Sequence, residues 1–293
     1  MRIAIVHYHL RGGGVTRVVS HQLAAMETLG FEAVAVVGEK SDSDAFEENV
    51  RVFPELAYDA RRSAADCDGV GMRLLEVCRE ALGGVPDVLH IHNHSLGKNG
   101  ALPTAVRELA ESGQPLVLQL HDFAEDWRPT NFSLLRDRVG DGSVDSLTGR
   151  LYPNVPNVHY ALLNSRDADF LVRAGVVPER VHVVPNAVAF EEDEECDDRE
   201  PLTDDHRLFV YPTRAIRRKN IGEFILWSAL ATGSEDLFGI TLAPQNPAER
   251  EFYEPWVEFV NGLGLPVVFE LMDQVRIPFP DLLRRAESVV TTS

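Results

Sequence analysis

Lysine is nearly missing from this chain, and acidic residues outnumber basic residues. The sequence holds 28 lysines and arginines against 46 aspartates and glutamates, for a formal net charge of −18 at pH 7. Only Lys40, Lys98 and Lys219 are lysines. A protein this acidic repels the phosphate backbone of nucleic acids and the surfaces of anionic lipids. The charge therefore argues against nucleic acid as a general partner.

Cysteine and long apolar runs are scarce as well. Cys67, Cys78 and Cys196 are odd in number and form no C-x-x-C pair, so they support neither a disulfide framework nor a zinc site. No apolar run approaches the roughly 20 residues that cross a bilayer. The N-terminal stretch MRIAIVHYHL is too short for a signal peptide and is typical of a buried first strand. The sequence predicts a cytoplasmic protein without an integral membrane segment.

Strand-like and helix-like patterns alternate along the first part of the chain. This alternation is typical of βαβ units in a doubly wound parallel sheet, so the predicted fold class is α/β. The predicted strands are 2–7, 33–37, 50–53, 87–92, 116–121, 159–164 and 181–184, and the predicted helices are 15–29, 70–82, 100–113 and 166–174.

A dense acidic segment divides the chain. Eight of the ten residues in 191–200 are acidic, a charge density that no packed element tolerates. We therefore predict a solvated linker at 191–205 between a first domain at 1–190 and a second domain at 206–293. Strand and helix patterns resume in the second domain at 208–212, 220–232, 239–243, 249–262, 266–270, 280–286 and 288–292.

The most informative stretch is LFVYPTRAIRRKNIGEFILW, in which a basic loop follows an apolar strand. The loop carries Arg214, Arg217, Arg218 and Lys219, and an amphipathic helix is predicted to begin near Asn220. Cations beside the backbone N–H groups of a helix N-terminus form a natural site for a phosphate or diphosphate. The alternative is a solvated loop whose arginines pair with neighbouring carboxylates. The position at the carboxyl end of a strand favours the ligand site.

A glycine run follows the first strand. Gly13 and Gly14 precede a predicted helix, and glycines there allow backbone N–H groups to approach a ligand without interference from a Cβ. The spacing matches neither the G-x-G-x-x-G fingerprint nor a Walker loop. The alternative interpretation is a flexible loop.

Histidines collect at the ends of predicted strands. His121 ends the apolar run LVLQLH, where an imidazole can polarise a substrate hydroxyl or act as an acid or base; the alternative is a structural histidine. In a parallel sheet, the other strand-end histidines should lie at the same edge. Alternation places three of them on one face of a strand and its exit, but this pattern is more typical of a polar strand edge than of a metal site, and no metal is predicted. These other histidines are His7, His9, His90, His92 and His94.

Five segments, in order along nearly the whole chain, resemble the retaining glycosyltransferases of family 4. The glycine loop GGGVTRVV follows the first strand, DVLHIHNH resembles the family's D-V-x-H-x-H strand, and LHDF resembles its histidine-bearing strand end. LLNSRDADFLVRAGVVPERVHVVPNAV resembles the family's N-S…L-x-x-x-G-V…R-V-x-V-I-P-N-G-V segment, and YPTRAIRRKNI resembles its G-R-x-x-x-x-K-N/G loop. The resemblance implies the GT-B architecture of two Rossmann-like domains facing across a cleft.

The resemblance also implies an activity and roles for residues. The protein would move a sugar from a nucleotide-sugar donor to an acceptor hydroxyl with retention of configuration, without a metal or another cofactor. Arg214 and Lys219 would hold the donor diphosphate and stabilise the leaving nucleoside diphosphate. His121 would contact the donor sugar, and Gly13 and Gly14 would approach donor phosphate or acceptor.

Two departures from the family pattern raise alternatives. Ala187 stands where the family usually has glycine, and the family's E-G-F-G loop, with two glutamates seven residues apart, would come after Ser293. We therefore expect an incomplete second domain, in either a fragment of a longer enzyme or a natural truncate. The alternative functions are a non-catalytic GT-B module completed by a partner chain and a GT-B epimerase. Acceptor choice is expected in the first-domain loops 38–49, 54–70 and 122–150. The last of these contains either an acceptor lid or a loop that is disordered or merely decorative.

Overall fold

The chain divides into two compact units. Unit 1 comprises Met1–Ala189 and unit 2 comprises Phe190–Ser293. The predicted linker at 191–205 lies outside the described residues and stays a prediction. The computed structural model describes residues 1–11, 13–39, 49–58, 67–126, 128–187, 206–231, 235–244, 249–275 and 278–292.

Unit 1 is built on a seven-stranded sheet in the order β3-β2-β1-β4-β5-β6-β7, with parallel pairing between all neighbours. All seven predicted strands are confirmed, with small shifts at their ends. The inner strands are largely buried and contain apolar runs, a pattern typical of parallel strands that are covered on both faces, whereas the edge strands β3 and β7 are largely exposed. The strands are β1 Arg2–His9, β2 Glu32–Glu39, β3 Val50–Val52, β4 Val88–His92, β5 Leu116–Leu120, β6 Val158–Leu162 and β7 Val181–Val183.

Within the described part of unit 1, six α-helices lie between these strands. The four predicted helices are confirmed, and two more lie in the segment 122–150, where a loop was predicted. The prediction was wrong there because these two helices bury few apolar residues: Leu135 in the first, Leu147 and Leu151 in the second. The helices are α1 Gly14–Thr28, α2 Val70–Leu82, α3 Ala101–Glu111, α4 Pro129–Arg138, α5 Val144–Leu151 and α6 Ser165–Arg173.

The strand order places a topological switch point between β1 and β4. The chain builds the sheet outwards from β1 through β2 to β3, and then returns to the other side of β1 with β4. In open α/β sheets, ligands bind at the carboxyl ends of the strands beside such a reversal. On one face of the sheet, α1 packs through Val19 and Leu23 against Ile5 and Val37. The larger core cluster packs the other helices of unit 1 against the sheet.

Unit 2 contains a four-stranded parallel sheet in the order β10-β9-β8-β11. With two parallel α/β sheets, the predicted α/β fold class of the GT-B type is confirmed. The strands are β8 Arg207–Arg214, β9 Asp236–Leu242, β10 Val267–Val268 and β11 Ser288–Val289, and the helices are α7 Ile221–Leu230, α8 Arg250–Leu263, α9 Leu271–Val275 and α10 Phe279–Arg285. Within the described ranges, no helix has the length and apolar character needed to cross a membrane.

One strand of unit 2 is longer than predicted. The sequence places the end of the strand at Pro212, but β8 continues to Arg214. The pairing with β9 shifts register between Tyr211 and Arg214, so the strand accommodates a proline that has no N–H to donate. Arg214 is therefore the last residue of a strand rather than part of the loop.

Candidate functional site

The carboxyl edge of the unit 1 sheet brings five of the predicted histidines together, with the ring centroid of His9 lying 5.7 Å from that of His7. The rings of His90 and His92 stack with centroids 4.7 Å apart, and those of His92 and His121 stack at 5.2 Å. His7 meets His92 edge-on at 6.1 Å. Because side chains alternate between the two faces of a strand, His90 and His92 lie on the same face of β4. The parallel pairing of β5 with β4 brings His121 beside them.

Two glutamines link this cluster to neighbouring elements. Gln119, which is only 2% exposed, accepts at Oε1 from Nε2 of Gln22 in α1 at 2.9 Å. His90 Nε2 lies 2.9 Å from the same oxygen, and Gln119 Nε2 donates to Asn186 Oδ1 at 3.4 Å. The sequence patterns did not identify these glutamines, because only long-range contacts bring them together.

His92 stands at the centre of the cluster and uses both of its ring nitrogens. Nε2 lies 3.1 Å from Gln22 Oε1, and Nδ1 lies 2.9 Å from His121 Nε2. His92 is fully buried. Among the residues the structure describes, no group of three or more His, Cys, Asp or Glu could hold a metal ion.

Burial keeps the cluster neutral. Desolvation lowers the pKa of His7 to about 3 and that of His90 to about 4. It also holds the pKa of His92 well below its usual value. Desolvation lowers the pKa of His121 too, against the opposing effect of the neighbouring Asp122 carboxylate. The cluster therefore offers uncharged imidazoles, which recognise hydrogen-bonding groups rather than anions.

A turn after β4 fixes the loop that carries His121. Asn93 adopts a left-handed conformation with φ 53°, and its Oδ1 accepts from the backbone N–H of His121 at 2.7 Å and of Asp122 at 3.3 Å. The same turn sends His94 into the core, where it is 0% exposed and its Nε2 donates to the Leu151 carbonyl at 2.7 Å. His94 therefore does not join the predicted edge cluster.

The glycine loop leaves the start of α1 open. Gly13 precedes the helix in extended backbone, and α1 begins at Gly14 with no side-chain cap and no acidic residue in its first turn. A Cβ on Gly14 would meet nothing within 4 Å, and one on Gly13 would come no closer than 3.8 Å to the Arg11 carbonyl. Packing within unit 1 therefore does not require glycine here, which is consistent with a need for access to the helix N-terminus.

The basic loop of unit 2 occupies the carboxyl end of β8. Arg214 ends the strand and is half-buried, a short 3₁₀ turn spans Arg217–Lys219, and Asn220 in a left-handed conformation leads into α7. The Lys219 carbonyl accepts from the Tyr211 hydroxyl at 2.7 Å and from Thr292 Oγ1 at 3.3 Å. These contacts hold the backbone of the loop, and the sequence did not reveal them.

Arg217 has structural partners of its own within unit 2. Its backbone N–H donates to Glu249 Oε2 at 3.1 Å, and its guanidinium lies 5.7 Å from the ring centroid of Phe252. Arg217 thus fits the interpretation of a basic residue packed against its neighbours. Arg214 and Lys219 are both half-buried; Arg214 ends β8, and Lys219 lies two residues before α7.

Comparisons with known proteins connect this geometry to a family. The sequence profile of the glycosyl transferase 4-like domain matches residues 13–187. Mannosylglucosyl-3-phosphoglycerate synthase of Petrotoga mobilis is 30% identical over 273 residues, covering 85% of this chain and 52% of the relative. The chain thus spans about half the length of that curated relative.

Solved structures resemble the chain in fold. Anabaena Alr3699/HepE in complex with UDP-glucose superimposes with a TM-score of 0.68 at 14% identity, covering 100% of this chain and 74% of that one. The lipopolysaccharide outer core galactosyltransferase WaaB, in its apo form, gives a TM-score of 0.60 at 14% identity with the same coverage. At such identities the likeness concerns the fold alone.

Proposed function

This chain belongs to the glycosyl transferase 4-like family, and we propose that it transfers a sugar from a nucleotide-sugar donor to an acceptor hydroxyl. The observation that carries the proposal is the pair of Arg214, at the carboxyl end of β8, and Lys219, in the short turn before α7. A strand end followed by a helix N-terminus favours a phosphate group, and two cations there complement a diphosphate.

In unit 2, the chemical role of this pair is to stabilise charge. Breaking the bond between the sugar and the diphosphate leaves negative charge on the departing phosphate oxygens. Arg214 and Lys219, already in place at the strand end, stabilise that charge as it develops. Two fixed cations supply this stabilisation from the protein itself, so we propose a reaction that requires no metal ion.

In unit 1, His121 and the open start of α1 face the polar parts of the substrates. His121 offers an uncharged imidazole that can hydrogen-bond to a sugar hydroxyl. Gly13 and Gly14 expose the first N–H groups of α1, which bind a phosphate or a hydroxyl oxygen. We propose retention of configuration, so the product should carry the anomeric configuration of the donor. The anomeric proton coupling of the product, read by NMR, tests that part.

A cavity in unit 1 is our proposed acceptor pocket. It has a volume of about 460 Å³ and lies between the segment after β5 and the start of α6. Phe123 and Phe170 supply an apolar surface. The charged groups of the lining are four carboxylates and two arginines, namely Glu125, Asp126, Asp167, Asp169, Arg166 and Arg173. This size and mixture suit a small polar molecule. The Petrotoga relative is named for a product containing phosphoglycerate, so glucosyl-3-phosphoglycerate is one acceptor to test. An uncharged glucoside is the second, because carboxylates outnumber arginines in the lining.

The test of the diphosphate site compares three variants. Calorimetric titration with UDP and GDP should show affinity reduced about tenfold to about a hundredfold in Arg214→Ala and in Lys219→Ala, because contacts to charged groups contribute about 1.5–3 kcal/mol. Arg285→Ala, which removes an exposed arginine from α10 of the same unit, is the matched control. Unchanged affinity in both Arg214→Ala and Lys219→Ala would refute the site. Nucleotide binding without any sugar transfer would favour the alternative of a non-catalytic module.

A further inference from the structure

We propose that a hydrogen-bond chain through Gln119, Gln22 and His92 fixes which nitrogen of His121 carries the proton. The chain leaves a lone pair on His121 Nδ1, which makes this atom a hydrogen-bond acceptor for a substrate hydroxyl. Gln22 and His92 are positioning residues in this account. The proposal deepens the proposed function, since it states how the imidazole recognises a hydroxyl-bearing substrate.

The amide oxygens of Gln119 and Gln22 determine which group donates and which accepts in each of these hydrogen bonds. Gln119 Oε1 accepts from Gln22 Nε2, so Gln22 turns its own Oε1 towards His92. An amide oxygen can only accept a hydrogen bond. The contact of 3.1 Å between His92 Nε2 and Gln22 Oε1 therefore requires a proton on His92 Nε2.

The position of the proton on His92 in turn determines the position of the proton on His121. Burial keeps His92 neutral, and a neutral imidazole carries one proton. With that proton on Nε2, His92 Nδ1 is an acceptor, and the contact of 2.9 Å to His121 Nε2 requires His121 to donate. His121 is likewise driven towards its neutral form by burial. Its single proton lies on Nε2, and Nδ1 is left with a lone pair.

The fold holds the rings in this arrangement. His90, His92 and His121 form a stack with interplanar angles of 18° and 19°. Gln119 anchors the far end through Asn186, and Gln22 comes from α1, the helix that begins at Gly14. A helix whose start is proposed to bind substrate thus also sets the tautomer of His121. The hydrogen bond made by one ring nitrogen of a histidine commonly determines which of its two nitrogens is protonated.

The chemical consequence is selectivity for a donor group on the substrate. An Nδ1 lone pair accepts a hydrogen bond from a sugar or acceptor hydroxyl. It repels phosphate and carboxylate oxygens, which can only accept. We therefore assign to His121 the recognition of a hydroxyl, and to Arg214 and Lys219 the recognition of the diphosphate.

The test reads the tautomer directly, by two-bond ¹H–¹⁵N NMR correlations of the protein with ¹⁵N-labelled histidine. The His121 signals are identified by their loss in His121→Gln. In the parent protein, His121 should show a protonated Nε2 and an unprotonated Nδ1. Gln22→Met removes the acceptor for His92 and should give a mixture of His121 tautomers.

A buried glutamine that takes no part in this hydrogen-bond network provides the control. Gln114 is 8% exposed and donates to the Pro86 carbonyl at 3.1 Å, so Gln114→Met also removes a buried hydrogen bond from unit 1. It should leave the His121 tautomer unchanged. A protonated Nδ1 in the parent protein, or an unchanged pattern in Gln22→Met, would overturn the proposal. Because the spectra need no substrate, a failure of sugar transfer would not affect this result.

Discussion

Lowering the pH from about 7.5 to about 5 should destabilise unit 1 far more than unit 2. Burial lowers the pKa of His7 to about 3, and those of His90 and His94 to about 4, from an ordinary value of 6.5. Between these values and 6.5, the unfolded chain binds protons that the folded chain does not. The free energy of unfolding therefore falls as the pH falls through this window, and it is little affected by these groups above it.

The size of the effect follows from the width of the window. At about pH 5, the solution lies about 1.5 pH units below the ordinary histidine pKa, and each unit corresponds to about 1.4 kcal/mol for each group. Each of the three histidines thus lowers the free energy of unfolding by about 2 kcal/mol, or about 6 kcal/mol together. The free energy of unfolding of a typical domain is only about 5–15 kcal/mol, so unit 1 should come close to unfolding.

Urea titrations at the two pH values measure this loss for each unit separately. A brief deuterium pulse, read by mass spectrometry, gives the unfolded fraction from peptides of β4 in unit 1 and β9 in unit 2. Unit 2 is an internal reference because its single histidine, His206, is exposed. His94→Phe should reduce the pH-dependent loss in unit 1 by about 2 kcal/mol, whereas His206→Gln should leave it unchanged. Equal losses in the two units, or no effect of His94→Phe, would refute the reasoning.

Substitutions at three further residues test the site. Gly14→Ala should keep or raise the free energy of unfolding, by up to about 1 kcal/mol, but reduce sugar transfer; full transfer would show that access at α1 is unnecessary. Asn93→Ala should cost about 2–3 kcal/mol in urea unfolding, whereas Asn93→Gly, which retains the backbone conformation, should cost less; equal costs would exclude backbone strain at this turn. Tyr211→Phe removes the hydroxyl bonded to the Lys219 carbonyl and should weaken UDP binding by about 1 kcal/mol in calorimetry, and unchanged affinity would contradict a positioning role.

The sheet of unit 1 could be predicted from sequence because its strands are short apolar runs between turn residues. Strands such as β1 and β5 are largely buried and contain the continuous apolar runs Ile3–Val6 and Leu116–Leu118, so the pattern is clear. The helix α4 lacked such a pattern, since Leu135 is its only buried residue within the described part of the chain. Propensity alone does not separate a weakly amphipathic surface helix from a loop.

The candidate site was predictable only in part, for a related reason. The sequence placed His92 and His121 at strand ends, and parallel pairing was enough to bring them to one edge. It could not reveal Gln22 as their partner, because that contact spans 70 residues and depends on how α1 packs on the sheet. His94 was misplaced because alternation assumes a continuing strand, whereas Asn93 reverses the backbone with φ 53°.

Sugar transfer by the parent protein, Arg214→Ala, Lys219→Ala and Arg285→Ala tests the central claim most directly. Each protein is incubated with a panel of nucleotide sugars and polar acceptors, and the glycoside and the released nucleoside diphosphate are measured by mass spectrometry. The account predicts a new glycoside from the parent and from Arg285→Ala, and a rate at least about tenfold lower in the other two variants. Equal rates in all four proteins, or no consumption of any nucleotide sugar by the parent, would contradict it.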